Sequence, residues 1–306
     1  MIPDGLEHEN PVSGIETSTP VICFERISPC CLWTSYFNLV NLIEAGNVPF
    51  KGNDLDELVE NVPGAEHILR KRDLALFCRT NDLSDPEIKY ILEEARTIPL
   101  AQGLILNTFE QLDGLILPHM RNLCPNTPQR TTHGKHYISI TGNLLLEHLA
   151  TMTVSELLEI WHGLVNSGKP FLWARRPGSI TGGYDEAKVP SELLNYTKEI
   201  GCIVDWAPQE DVLAHHAIGA FFTHSGWNST MESIVQGVPM ICWPFYTDQQ
   251  AIRDVMDMTL EVFTHSTSSW KDLAKDSIKD LGSSSINLVR LINDIRAMTN
   301  AYDTTI

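Results

Sequence analysis

The chain has 306 residues, 43% of them hydrophobic, and a formal net charge of -17 at neutral pH. That is ample apolar material for a core, and the length suggests two domains. So acidic a chain is a poor partner for nucleic acid or for an anionic membrane surface, and it must hold any anionic ligand locally, through a helix start and a few donors. Seven cysteines, an odd number without paired spacing, fit a reducing compartment. The opening MIPDGLEHENPVSG has no apolar signal core, and no apolar run approaches membrane-spanning length. The expected location is therefore the cytoplasm, with no membrane insertion.

In chain order, residues 1 to about 20 read as a Pro-, Gly- and acid-rich loop, and Val21 to Phe24 as a short strand. Ser28 to Ala45 reads as a helix with Trp33, Phe37, Val40 and Ile43 near helical spacing and Gly46 as its stop. Asp54 to Val59 and Ala65 to Leu69 look like short helices, Asp85 to Arg96 like a helix with a solvated charged face. Gly103 to Asn107 is a buried-strand pattern, followed by a helix over Glu110 to Leu123. Residues 126–136 read as a linker between a domain over 1–125 and a second over 137–284, which a C-terminal helix and tail over 285–306 follow. Tyr137 to Ile140 opens the second set of strands. Thr153 with Glu156 forms a capping box, and Leu157, Leu158, Trp161, Leu164 and Val165 lie on one helical face ended by Gly168. Phe171 to Ala174 and Cys202 to Val204 read as further strands. Leu288, Leu291, Ile292 and Ile295 mark a last amphipathic helix starting at Ser285.

The stretch Trp206 to Gln249, WAPQEDVLAHHAIGAFFTHSGWNSTMESIVQGVPMICWPFYTDQ, organises the second half. Ala220 to Thr223 is a buried strand, His224-Ser225-Gly226 a turn, Asn228 to Gln236 a helix, Gly237 its left-handed stop, and Met240 to Trp243 a second apolar run. Strand, glycine turn, helix, strand is a parallel crossover unit, and such units bind ligands at the carboxyl ends of their strands. The turn brings an imidazole, two hydroxyls (Ser225 and Ser229), the Asn228 amide and Glu232 to a helix start, which suits a diphosphate and a ribose without a metal. Any βα turn shares part of this pattern. The spacing of a nicotinamide-binding GxGxxG turn is missing; Gly178-Ser-Ile-Thr-Gly-Gly does not follow it.

The whole stretch resembles the signature box of the plant family 1 UDP-glycosyltransferases, from its first Trp to its closing Asp-Gln. The run LIEAGNVPFKGNDLDELVENVPGAEHILRKRDLALFCR and the later LILNTFEQLD resemble the acceptor-binding domain of the same enzymes, closest to the branch of iridoid glucosyltransferases. The resemblance implies a GT-B-like α/β fold of two Rossmann-like domains with parallel sheets, the N-terminal one incomplete. It implies UDP-glucose as donor co-substrate, no further cofactor, a small lipophilic acceptor (an iridoid, terpenoid or phenolic), inverting metal-independent transfer and a monomer. Residue by residue, it places uracil on Trp206 and Gln209 and the diphosphate on His224, Asn228 and Ser229, with Ala207, Gly226 and Trp227 in the same donor-binding set. Glu232 takes the ribose, and Asp248 and Gln249 the sugar hydroxyls, with a Gln at that last position going with glucose donors.

The chain also departs from that family. Its members begin with a strand and a glycine-rich turn carrying the His that acts as general base, oriented by a downstream Asp. Here TPVICFERIS passes over the region that carries the Asp, and His8 lies in an acidic loop with no strand before it, so no catalytic residue is identifiable. The phosphate loop after the first donor-domain strand reads YISITGN; Thr141 and Gly142 are one placement of it, and other alignments fit as well. Two functions stay open on these grounds: a glucosyltransferase, or a catalytically impaired relative that only binds the UDP-sugar.

Overall fold

The computed structural model describes residues 21–52, 54–80, 82–101, 103–123, 130–131, 144–146, 152–175, 179–181, 191–244 and 269–303. The chain divides into two compact units, residues 1–133 with 276–306, and residues 134–275.

The first unit holds a parallel sheet ordered β1 (Ile22–Glu25), β2 (Gly103–Leu106), β3 (Arg130–Thr131). After β1, Ser28 caps a helical stretch by accepting the Cys31 N–H at 3.0 Å, with Pro29 in the first turn, where its missing N–H costs nothing. The chain widens to a π-helix over Leu32–Phe37, then returns to α-helix over Leu39–Glu44 and stops before Gly46, at φ +76°. The π segment adds a residue to its turn, so the buried stripe rotates. Leu32, Trp33, Tyr36, Leu39 and Leu42 are buried, while Val40, expected on the apolar face, is 41% exposed. Phe37 and Ile43 pack only partly into the core.

The two short helices expected over 54–59 and 65–69 are turns. Asn61, Gly64 and His67 all have positive φ, which no α-helix tolerates. The segments pair instead: Leu58 bridges Arg70 in antiparallel register, and the Val59 N–H donates to the Leu69 carbonyl at 2.8 Å. The buried Lys71 ammonium ion-pairs with Glu57 and lies 5.8 Å from the centre of the Phe50 ring, so the charge is never left alone in the core. Helix α1 (Pro86–Thr97) begins where Asp85 accepts the Glu87 N–H at 2.8 Å, and buries Ile88 and Ile91. The single helix expected over 110–123 is interrupted: a short α-helical segment over Glu110–Asp113 precedes α2 (Leu117–Leu123).

The second unit is built on a five-stranded parallel sheet. Its strands are β4 (Leu144–Leu146), β6 (Phe171–Ala174), β8 (Gly201–Val204), β9 (Ala220–Thr223) and β10 (Met240–Cys242), in the spatial order β10-β9-β4-β6-β8. A parallel pair of β5 (Met152–Thr153) and β7 (Ile180–Thr181) stands apart. Helix α3 (Val154–Ser167) starts on the expected capping box, Thr153 accepting the Glu156 N–H while Glu156 accepts the Thr153 N–H at 2.7 Å. It ends at Gly168, φ +62°. Its apolar face packs on the sheet: Leu157, Trp161 and Leu164 meet Phe171 and Trp173. The Trp161 indole N–H, too costly to bury unpaired, donates to Thr197 of α4 (Ser191–Ile200) at 2.7 Å. Gly201 opens β8 under the Phe171 ring, where a Cβ would come within 2.4 Å.

The tyrosine-led run 137–140, expected as the first strand of this sheet, lies outside the described residues; the strand seated between β9 and β6 is β4. Helices α5 (Gln209–Ala214) and α6 (Trp227–Gln236) follow β8 and β9. The last helix, α7 (Ser283–Asp303), packs on β3 and so belongs with the first unit, which also takes residues 276–284 that the sequence pattern placed with the second. Of its expected apolar stripe, Leu291 is buried, whereas Leu288, Ile292 and Ile295 are exposed.

Two carboxyl groups of the first unit titrate near neutrality. Burial and the neighbouring Glu94 carboxylate push Glu25 up to about 7, against the pull of Arg26. Burial pushes Asp113 up to about 6, although the Thr108 hydroxyl donates to it. Both folded values exceed the ordinary ones, so the stability they confer is complete at pH below the normal carboxylate range and is lost as pH rises through the folded values. The melting temperature should therefore fall between about pH 5 and about pH 7.5, and the double variant E25Q/D113N should flatten that slope. Parallel melting-temperature profiles for the wild type and the double variant would overturn the assignment.

Candidate functional site

The order β10-β9-β4-β6-β8 means that the chain winds outward from β4 through β6 to β8, then returns to the other side of β4 for β9 and β10. The winding direction reverses between β4 and β9, and at such a switch point the carboxyl ends of the strands part to leave a crevice. The turn after β9 and the loop after β8 both lie on that carboxyl edge.

The turn is short and tightly specified. Ser225 is fully buried and adopts a left-handed backbone, φ +67°, which is strained for a residue with a Cβ. Its N–H donates to the Thr223 hydroxyl at 3.1 Å, so the last residue of β9 supplies an acceptor that the left-handed turn would otherwise lack. Gly226 is the N-cap of α6, and its side of the turn is filled by His224: a Cβ on Gly226 would lie 2.5 Å from the imidazole Nε2. Only glycine lets the ring rest there. As a glycine, the cap also puts no side chain over the first-turn amides, and the positive end of the helix dipole opens onto the same edge. Helix α6 ends as expected at Gly237, φ +68°.

Within α6, Trp227 and Ser229 are buried, Asn228 is exposed and Glu232 is half-buried. The Gln209 side chain reaches across from the start of α5. Its Nε2 donates to the Ser229 hydroxyl at 3.1 Å and to the Glu232 carboxylate at 2.7 Å. With both amide hydrogens committed, the orientation of the Gln209 group is set before any ligand arrives. Three residues earlier, Trp206 stands in the loop between β8 and α5 with 71% of its surface exposed, and Ala207 beside it is half-buried. A Trp so exposed offers a flat face for a planar ring to stack on.

Of the expected residues, Gln209, Ser229 and Glu232 thus form one hydrogen-bonded group, and His224 and Gly226 touch at the helix start. Asp248 and Gln249 lie outside the described residues, as do Thr141, Gly142 and His8; in the chain, Thr141 and Gly142 precede β4 rather than follow its carboxyl end. Sequence reasoning passed over Thr223 and the backbone of Ser225. The signal available was a Thr two residues ahead of the Ser, the spacing of a side-chain-to-backbone turn. Among the described residues, no group of three His, Cys, Asp or Glu side chains is placed to hold a metal ion, and no helix is long and apolar enough to cross a membrane.

Residues 135–279 match the sequence profile of the family described as UDP-glucoronosyl and UDP-glucosyl transferase. A 7-deoxyloganetic acid glucosyltransferase from Catharanthus roseus is 36% identical over 346 residues, a match that covers 92% of this chain and 71% of that protein. Those 346 positions exceed the 306 residues of this chain, so the relative carries at least 40 residues inside the match that have no counterpart here. Among solved structures, the fold matches an anthocyanidin 3-O-glucosyltransferase in complex with UDP, with a TM-score of 0.74 at 21% identity over 94% of this chain and 73% of that one. It also matches Phytolacca americana UGT2 complexed with UDP-2fluoro-glucose and pterostilbene, with a TM-score of 0.70 at 24% identity over 93% of this chain and 72% of that one. These likenesses agree with the parallel sheets of the two units and with the GT-B-like fold that the signature stretch implied by resemblance. Identity of this degree across most of a relative's length makes the chain a member of the UDP-glucuronosyl and UDP-glucosyl transferase family.

Proposed function

We propose that the second unit binds UDP-glucose and that the protein transfers the glucosyl group, with inversion and without a metal, to a small lipophilic acceptor of iridoid, terpenoid or phenolic type. The observation that carries this reading is the Gln209 amide, held by Ser229 and Glu232 between an exposed Trp206 and a glycine-capped helix start. Uracil stacks on Trp206 with Ala207 and Gln209 at its edge, Glu232 takes the ribose hydroxyls, and the diphosphate meets His224, Gly226, Trp227, Asn228 and Ser229. Asp248 and Gln249 hold the glucose. The name of the Catharanthus roseus relative supports an iridoid acid as acceptor.

In the reaction, a lone pair on the acceptor oxygen forms a bond to the anomeric carbon while the bond from that carbon to the β-phosphate oxygen breaks, its electron pair leaving with UDP. The negative charge that develops on the diphosphate is what the start of α6 and His224 stabilise, and preorganised donors of this kind commonly supply the largest single part of a rate enhancement. An alcohol acceptor must also lose a proton to a base. A carboxylate acceptor has none to lose. The sequence offers neither the family's base His nor its Asp partner in a comparable setting, and His8 lies in an acidic loop. That favours a protein that binds donor well and transfers to alcohols poorly.

Calorimetry with UDP tests the donor site. Binding in the micromolar to millimolar range, roughly 4 to 8 kcal/mol, is expected for the wild type, with clear weakening in W206A and in H224A. Unchanged affinity in both variants would remove the site assignment. Sugar choice is tested by Gln249→His: an imidazole cannot present the paired donor and acceptor of an amide, so the preference for UDP-glucose over UDP-galactose should shrink. Identical competition profiles for the two proteins would count against Gln249. For transfer, a terpenoid alcohol should turn over roughly a hundredfold or more slowly than with a relative that has the base, while a terpenoid carboxylate loses less, and His8→Ala should change neither. Turnover of the alcohol at about 1 per second or faster would require a base elsewhere in the chain.

A further inference from the structure

His224 and the start of α6 can act on a diphosphate only if the turn between them and β9 is held in place, and that turn is strained. Ser225 sits at φ +67° with no exposed surface, and its N–H has the Thr223 hydroxyl as acceptor at 3.1 Å. Thr223 is itself fully buried and anchored in the sheet. It pairs with Cys242 of β10, and its carbonyl accepts the Trp243 N–H at 2.8 Å. The hydroxyl therefore connects a rigid strand to the one left-handed residue of the turn. Beyond that residue, Gly226 and the His224 ring are packed so closely that a Cβ would meet Nε2 at 2.5 Å. A turn that relaxed out of the left-handed region would move the Gly226 Cα and the imidazole resting on it, and would swing the first-turn amides of α6.

We propose that Thr223 is a positioning residue for the diphosphate: its hydroxyl holds Ser225 left-handed and so fixes His224 against Gly226 at the mouth of α6. The proposal rests on the donor-site reading above and adds a residue that touches no ligand. Valine has nearly the shape of threonine but no acceptor, so T223V leaves the Ser225 N–H buried without a partner and the turn without its tie. Relaxation of the turn then relieves both the unpaired N–H and the left-handed strain. Serine keeps the hydroxyl and loses only a methyl group.

The test compares binding of UDP and of uridine to the whole protein by calorimetry and competition. Uridine uses Trp206, Gln209 and Glu232 but has no phosphate to lose. The expected result is a UDP affinity at least tenfold weaker in T223V, an unchanged uridine affinity, and UDP binding restored in T223S. The variant G226A, which displaces the imidazole from the other side, should show the same selective loss. If the wild type fails to bind UDP, the donor-site reading falls and this role with it. If the wild type binds UDP and T223V binds it equally well, the role of Thr223 alone falls. Equal losses for UDP and uridine, or no recovery in T223S, also overturn it, because either would mean general damage to the sheet. Should T223V not fold, amide exchange in the wild type decides. A Ser225 N–H protected like that of Phe221 in β9 supports the tie, and one exchanging at loop rates refutes it.

Discussion

Parallel pairing of β9 between β4 and β10 places the donor-side residues at one end of the second sheet. In a parallel sheet every strand leaves by the same edge, so the loop that carries Trp206 after β8 and the turn that carries His224 after β9 emerge together. The helices that follow must return across the sheet, and α5 and α6 therefore start from that edge with their amide ends toward it. The hydrogen bonds from Gln209 to Ser229 and Glu232 tie the two starts to each other. Loss of register in β9 would rotate Thr223, Ser225 and the whole helix start together, because side chains alternate faces along a strand.

The proposed donor is an anion while the chain carries a net charge of -17, and the two are compatible if the attraction is local. In the proposed site the attraction comes from the amides at the start of α6 and the His224 imidazole, where short-range dipoles outweigh distant screened charges. One carboxylate does stand nearby, that of Glu232. It accepts a hydrogen bond from the Gln209 amide, one helical turn into α6 from the cap, and in the proposed site it is the acceptor for ribose hydroxyls. The strain at Ser225 belongs to the same arrangement: a left-handed residue lets the chain leave a strand and enter a helix within three residues, which keeps the imidazole and the helix start adjacent.

The first unit shows the opposite use of polar groups. The buried Lys71 reaches the exposed Glu57, the buried Thr108 and Asp113 pair with each other, and Asp113 and Glu25 each bear the cost of burial as a raised carboxyl pKa. Glu25 and Asp113 stabilise the unit most when protonated. The π-helical turn over Leu32–Phe37 likewise serves packing: it brings Tyr36 edge-on to Phe77, with ring centroids 5.1 Å apart.

Local signals with a local cause were legible in the sequence. The helix starts at Ser28 and Asp85, the capping box at Thr153, the stops at Gly46, Gly168 and Gly237, and the strands begun at Gly103, Phe171 and Ala220 all follow from hydrogen bonds or backbone preferences within a few residues. So did the membership of Gln209, Ser229 and Glu232 in one site, because the signature stretch carries them in a single run. The π-helical rotation that exposes Val40 was not legible, since the periodicity of 29–45 fits a regular α-helix equally well. Nor were the turns over 54–69, where left-handed Asn61 and His67 accompany pairing with a segment ten or more residues away. The burial of Leu291 without the rest of its expected apolar stripe, and that helix's seat on β3, depend on contacts between residues about 160 apart in the chain. Above all, the sequence names His224 and Gly226 but not their contact. That the imidazole occupies the space of the missing Cβ, and that Thr223 ties down Ser225 beneath it, are consequences of packing against a sheet that only the folded chain contains.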